Sequence, residues 1–444
     1  MTQATLTWSI WQALLARFAW AFSRPGFRRF AEWITAMAIN VEEHTITQSV
    51  LALERPADWK ALESFAEYGA WHRDKVTRGL TGLIEAAPGR IWYGYHVWTF
   101  DDTKVHRGSA DVWGTCTFHE YTARCPNRAT TVRAHNWVSL GALLENSDRP
   151  AWFLPISGRL YFRRSQLPTR PGAAGGTEPF HTKCELAVKL SREQARLTGG
   201  SHLAVCDGGY ALGSVVRPLV LPEDGSPRIE FLTRLRHDAR LYALPPKERP
   251  QGKRGPMPKW GKKLPPPRQG GRWAGPWHVG FAFVYGRSRE IRWKEVVCLW
   301  RVLGHDVPVK VIVARVEGYQ KRFTLVTSAS ELTGLQMVEL FAARFRQEDG
   351  FRDLKQRLGW EECRAWTKAP IERTSQVQWV TMSLLRLAQF RLESAGEADW
   401  WFRPPWNKEK DRPSVLDLER LMRRHAPEIR RFLSEWLGSE QEVA

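Results

Sequence analysis

Long apolar runs are missing from this 444-residue chain. No stretch approaches the roughly 20 apolar residues that a membrane-spanning helix needs. The best apolar stretch near the N-terminus is interrupted by Arg17, and no basic segment leads into it as a secretion signal requires. Cysteine is sparse. The six residues (Cys116, Cys125, Cys184, Cys206, Cys298, Cys363) form no C-x-x-C pair and no zinc-type spacing. They read as reduced thiols of a cytosolic protein, not as a disulfide frame. Acid is short as well: 47 Asp and Glu stand against 66 Lys and Arg, a net charge of +19. That surplus needs an anionic partner. A membrane surface is one, and nucleic acid is the commoner one. Tryptophan is what abounds, with 23 residues; most must be core, and any left outside can stack on bases. Length and 43% hydrophobic content allow two or three domains with a sizeable core.

In chain order, residues 1–90 read as a helical N-terminal domain. Trp11, Leu14, Leu15, Phe18 and Phe22 line one face of a first helix, and Phe30, Trp33, Ile34 and Met37 one face of a second. A helix-turn-helix DNA reader and a plain helical bundle fit this pattern equally. IWYGYHVWTF, Ile91 to Phe100, is a strand signal that runs into Asp101-Asp102-Thr103. Further strands are expected near 129–144 and 151–164, and a helix over 178–197. A short apolar strand, His202 to Cys206, then ends in Asp207-Gly208-Gly209. Acids at strand ends sit where open α/β sheets place their chemistry, although Asp also simply terminates strands. Ile229 to Tyr242 reads as one more strand, with Arg234, Arg236 and Asp238 on one side.

Residues 245–276 are rich in Pro, Gly, Lys and Arg, with Glu248 the only acid. Composition predicts an exposed, mobile loop. Lys253, Arg254, Lys262 and Lys263 would track phosphates there, with Trp260 and Trp273 interleaved for stacking. From Trp277 to Leu325 short β runs return, including FAFVYG and VKVIVARV. The whole span 245–330 is therefore a basic loop followed by a β-rich insertion. Residues 399–444 read as a basic tail of two short helices, either a dimerisation element or a lid on the core.

Between insertion and tail, Thr333 with Gln336 can cap a long helix that Gly359 can end. At roughly 100° per residue, Phe341, Arg344, Glu348 and Lys355 fall in one stripe about 60° wide, beside an apolar stripe of Leu340, Phe351, Leu354 and Leu358. Such charges usually serve the helix alone. Three acids nevertheless stand out: Asp101 (or its neighbour Asp102), Asp207 and Glu348. Carboxylates converging on two Mg²⁺ ions about 3.5–4 Å apart are what phosphoryl transfer at DNA requires, and a hard ion needs only oxygen ligands. The expected fold class is mixed α/β.

Phe341-x2-Arg344-x3-Glu348-x6-Lys355 resembles the Tyr-x2-Arg-x3-Glu-x6-Lys signature of bacterial cut-and-paste DDE transposases, the insertion-sequence enzymes with a β-strand insertion domain. FRDLKQRLG is similar to that family too, as are Asp101-Asp102-Thr103 and VCDGGY, over residues 90–390. The family's Tyr is Phe341 here, so the ring is kept and its hydroxyl lost. The resemblance implies a ribonuclease H-like core in two parts, 91–244 and 331–398. It implies catalysis and metal binding by Asp101, Asp207 and Glu348, with two Mg²⁺ ions that Mn²⁺ can replace. Asp101 is preferred to Asp102 because the family motif reads Asp-x-Thr. Arg344 and Lys355 would hold phosphates near the scissile bond, and an aromatic from the insertion, Trp293 or Trp300, would hold a flipped base. The implied partners are double-stranded transposon-end and target DNA, with a homodimer in the complex, in a bacterial cytoplasm. Two other functions compete: a non-catalytic DNA-binding relative, which the intact triad argues against, and another ribonuclease H-like nuclease, which the signature helix and large insertion argue against.

Overall fold

The computed structural model of the chain describes residues 2–120, 130–146, 149–167, 179–248, 255–397 and 400–442. Five helices lead: α1 (Gln3–Ala16), α2 (Arg24–Ile39), α3 (Ile46–Ala52), α4 (Trp59–Tyr68) and α5 (Arg73–Glu85). Capping sets three of the starts. Thr2, Ser23 and Thr45 accept with their side-chain oxygens from the N–H groups of Thr5, Gly26 and Gln48. Pro25 occupies the first turn of α2, where its missing N–H costs nothing.

The strands form a mixed twelve-stranded sheet. Its first long strand is β2 (Tyr95–His106), preceded by the two-residue β1 (Ile91–Trp92). On one side of β2 lies antiparallel β4 (Thr131–Leu144), whose far edge pairs with both β3 (Cys116–His119) and β5 (Trp152–Tyr161). Helix α6 (Lys183–Ala195) then carries the chain back, and β6 (Ser201–Cys206) pairs parallel to β2 on its other side. A second crossover through α7 (Gly213–Val220) leads to parallel β7 (Glu230–Arg234).

The strand expected over 229–242 is thus two: β7 ends at Arg234, and pairing resumes only at β8 (Leu241–Tyr242). Arg236 lies between them, paired with Asp238 at 3.1 Å. The insertion strands β9 (His278–Val284), β10 (Arg287–Trp300), β11 (Pro308–Val316) and β12 (Phe323–Thr327) extend the same sheet, because β12 pairs antiparallel with β7. Residues 255–276 are largely exposed and irregular, as composition predicts, but they are anchored to the sheet by an isolated bridge between Tyr242 and Lys263. The Ala243 N–H donates to Lys262 O at 2.8 Å, and the Leu264 N–H to Leu241 O at 2.9 Å. Trp273 is buried, with its indole N–H on Pro265 O at 2.9 Å. A backbone rich in Pro and Gly can still pair with a strand edge, and here it does.

After the insertion come α8 (Gly334–Ala343), α9 (Phe345–Gln356) and α10 (Lys368–Ser394), then α11 (Val415–Arg424) and α12 (Ala426–Glu442). The Thr333–Gln336 capping box forms as expected, and Gly359, at φ +61°, ends the region. The single long helix does not form. Its ladder is interrupted at Arg344, whose own dihedrals stay helical. α10 is buried nearly all round because α1, α2, α4, α5 and α11 pack on it from one side and β5 from the other. One continuous apolar core therefore runs from Trp8 to Leu437, with a second under the insertion around Phe231, Trp300 and Val311. The tail serves as a lid: Trp436 meets Trp8 and Phe27 at 6.0 and 5.6 Å. Among the described residues, no helix is long and apolar enough to cross a membrane.

Candidate active site

Strand register brings the first two acids together. Phe100 and Cys206 are the last partners in the parallel β2–β6 ladder, so the next residues, Asp101 and Asp207, leave adjacent strands side by side. Asp101 is not the end of its strand, as the sequence suggested. The longer β4 goes on pairing β2 to His106, with Asp101 opposite Ser139; what ends at Phe100 is the pairing with β6.

Alternation along β2 then separates the two neighbouring acids. Asp102 pairs with Lys183 of α6 at 2.6 Å and accepts from the Tyr210 hydroxyl at 3.3 Å. Asp101 points the other way, toward α9. Asp207 opens a tight turn, accepting from the Gly209 N–H at 3.3 Å. A Cβ on Gly208 would stand 3.2 Å from Arg234 O, so this turn sits tightly against the end of β7.

Glu348 arrives on α9, and the residue before it fixes that helix. Gln347 is fully buried; its amide accepts from the Thr99 hydroxyl at 2.9 Å and donates to Ser139 O at 3.1 Å. Sequence reasoning passed it over. The signal was present, since Gln347 lies in the apolar stripe of Phe351 and Leu354 at spacings of four and seven.

Arg344 stands among all three acids. Its Nη1 lies 3.6 Å from Asp101 Oδ2, and its Nη2 lies 3.8 Å from Asp207 Oδ1 and 3.1 Å from Glu348 Oε1. The guanidinium is buried, with the rings of Phe341 and Phe345 at 5.7 and 5.0 Å. Asp207 and Glu348 are half exposed, so the cluster opens to solvent. Burial pushes the Asp101 carboxyl up to about 7, helped by the charges of Asp102 and Asp207 and opposed by Arg344 and the Asp102 N–H.

No protein-family model matches this chain, and no curated protein matches it.

The donor set suits a hard divalent cation. Three carboxylates offer only oxygen, and one guanidinium balances one of their charges, which leaves the ionised cluster negative. Among the described residues, no three His, Cys, Asp or Glu side chains stand ready to close on one ion as they are. Here the guanidinium occupies the space between the acids.

The remaining expected residues fall into place unevenly. Lys355 donates to Lys104 O at 2.5 Å and lies 3.6 Å from Glu361, with burial holding its ammonium below the usual lysine range. Phe341 is buried against Phe323 and presents no face to a ligand. Arg234, Lys262 and Lys263 are exposed. Lys253 and Arg254 lie outside the described residues. The stacking candidates need correction. Trp300 is 2% exposed and packs on Phe231 inside the insertion core. Trp293 is half-buried; His278 stacks on it at 5.3 Å, Gly334 lies against its indole, and its N–H donates to Glu295 at 3.1 Å. Trp300 is thus a core ring, whereas Trp293 keeps part of its surface exposed.

A second aromatic cluster runs from Phe345, which lies against the Arg344 guanidinium, through half-buried Tyr285 to Tyr319. Tyr285 touches Tyr319 at 5.2 Å and Phe345 at 5.7 Å, Arg289 lies over Tyr319 at 5.2 Å, and Tyr319 and Phe345 are 44% and 37% exposed. Tyr285-Gly286 forms the two-residue β9–β10 turn, with φ of +52° and +85°. That turn requires the glycine, while Tyr285 stands where Asn, Asp or Gly is usual, so the sequence carried no strong hairpin signal.

Proposed function

We propose that the chain is a DNA transposase of the DDE type: it binds the terminal inverted repeats of an insertion sequence, cleaves the ends and joins them to target DNA. The meeting of Asp101, Asp207 and Glu348 on one guanidinium carries this reading. Among 47 acids many triples can be chosen from sequence, and these three were chosen because two end apolar stretches and one sits in the signature spacing. The strand order β5–β4–β2–β6–β7, with β2, β6 and β7 parallel and β4 antiparallel, supports a ribonuclease H-like core in which the acids sit on adjacent strands and a flanking helix.

Asp101, Asp207 and Glu348 would hold two divalent ions, which supply an activated water or 3′-hydroxyl and stabilise the leaving oxygen. The chain's own groups do the rest. Gln347 and the Phe100–Cys206 register set the spacing of the acids. Arg344 offers a fork to a phosphate, and exposed Arg234, Lys262 and Lys263 add cations for the backbone of a duplex. A net charge of +19 suits DNA, and the acting form would be a homodimer on paired ends in a bacterial cytoplasm.

The test is cleavage of linear DNA carrying the gene with its flanks, with Mg²⁺ or Mn²⁺. Asp207→Asn keeps a cap for the Gly209 turn, and it should abolish cleavage while leaving DNA binding close to wild type. Cleavage by that variant at the wild-type rate would remove Asp207 from the site, and absence of DNA binding by the wild type would remove the function.

A further inference from the structure

The geometry points to Arg344 as the site's resident cation: it holds the three carboxylates together in the metal-free protein, competes with divalent ions for them, and yields when a DNA phosphate draws it away. This deepens the proposed function and rests on reading the three acids as metal-binding. The guanidinium reaches Asp101 with one terminal nitrogen and Asp207 and Glu348 with the other, at 3.1 to 3.8 Å. A Mg²⁺ ion bound by the same oxygens needs them at about 2.0–2.1 Å. It would therefore draw the acids into the volume that the guanidinium fills, beside a like charge. The two cations exclude each other.

Two features say that Arg344 can leave. Its Nε is buried with no hydrogen-bond partner, so the guanidinium is held at its fork by the carboxylates and against the rings of Phe341 and Phe345. It also sits where the α8–α9 ladder is interrupted: its N–H turns to Ala342 O and its carbonyl accepts from the Gln347 N–H at 3.0 Å, short-range bonds in place of the i→i−4 ladder. Leaving requires another anion that fits the fork, and a phosphate accepts two parallel N–H bonds in the way a carboxylate does. DNA binding and metal loading then become linked equilibria, each strengthening the other by one shared factor. Free protein would hold metal poorly and so be a poor nuclease away from DNA.

The experiment measures Mn²⁺ binding by electron paramagnetic resonance for wild type, Arg344→Gln, Arg344→Lys and Asp207→Asn. Each is measured alone and with a nonspecific DNA duplex, after circular dichroism has checked folding. Without DNA, Arg344→Gln should bind Mn²⁺ about tenfold more tightly than wild type, within the usual range of such couplings. Arg344→Lys, which keeps the charge, should stay near wild type. The duplex should tighten Mn²⁺ binding in wild type and change Arg344→Gln little. If wild type alone binds Mn²⁺ as tightly as Arg344→Gln while Asp207→Asn binds weakly, the acids are the metal site and the competition is refuted. If Arg344→Lys behaves like Arg344→Gln, charge is not the cause and the competition is again refuted. If the duplex leaves wild-type affinity unchanged, the link to DNA falls. If Asp207→Asn binds Mn²⁺ as wild type does, the metal reading fails and the proposal with it.

Discussion

Gln347→Leu isolates the part of the site that depends on no assumption about the reaction. Gln347 is wholly buried and makes two hydrogen bonds, at 2.9 Å from the Thr99 hydroxyl and at 3.1 Å to Ser139 O. Thr99 precedes Asp101 by two residues on the same face of β2, and Ser139 is the partner of Asp101 in β4. One amide thus locks α9, just before Glu348, onto both strands beside the first acid. Leucine keeps most of the volume and removes the amide, leaving a buried hydroxyl and a carbonyl short of a partner. An unpaired buried polar group costs about 1–3 kcal/mol, and Ser139 O is the milder case because a carbonyl can keep a second bond. The loss should be roughly 2–4 kcal/mol, read as a lower urea midpoint at unchanged slope. Thr99→Val alone strands the other end of the first bond. The double variant removes both partners, so the cycle should show a coupling of about 1 kcal/mol. A Gln347→Leu protein within about 0.5 kcal/mol of wild type, or a strictly additive cycle, would show that the clamp does not position the helix.

Gly350→Ala in α9 should destabilise, although alanine is the better helix former by about 1 kcal/mol, because the new Cβ would stand 2.6 Å from Phe153 Cε1; denaturation should show a net loss that Phe153→Leu relieves, and a gain in stability would refute the contact. Burial pushes Glu419 from 4.5 up to about 7, so the wild type loses stability as pH rises through that window, and Glu419→Gln should gain on it there by on the order of 2–3 kcal/mol and level off above. Melting curves from pH 4 to 9 check this, and a difference independent of pH would refute it. If Tyr319 and Phe345 form the stacking surface beside the acids, each →Ala variant should weaken binding of a 2-aminopurine single strand by about 1–3 kcal/mol and alter its fluorescence; a Trp293→Ala protein that loses the signal while these keep it would reverse the assignment.

Local rules made some of this legible in the sequence. Thr333 and Gln336 announce a helix start because a capping box is a contact within four residues, and Gly359 announces an end because its φ is +61°. The apolar runs before Asp101 and Asp207 mark strands for the same reason. The pairing of those strands was not visible, since register is decided by partners far away in sequence. So the sequence placed Asp101 at a strand end, whereas the strand continues and only its parallel neighbour stops. The choice between Asp101 and Asp102 rested on a resemblance and on Asp101 directly following the apolar strand; what no local pattern showed is that Asp102 pairs with Lys183 on the opposite face.

Aromatics failed differently. Trp293 and Trp300 sit among arginines in the sequence and looked like stacking residues, yet period-two patterns cannot tell a strand covered on both faces from one with a free face. Trp300 is covered, and Tyr319, in the turn after β11, is not. Composition marked residues 255–276 as an exposed loop, which they largely are, but it could not show their anchoring at Lys263, because side-chain polarity says little about whether a backbone will find a strand edge. The inward turn of Arg344 could not be read from spacing at all. A helical stripe gives the direction of a side chain, and only the arrival of Asp101 and Asp207 from other elements turns a cation flanking one acid into a cation shared by three.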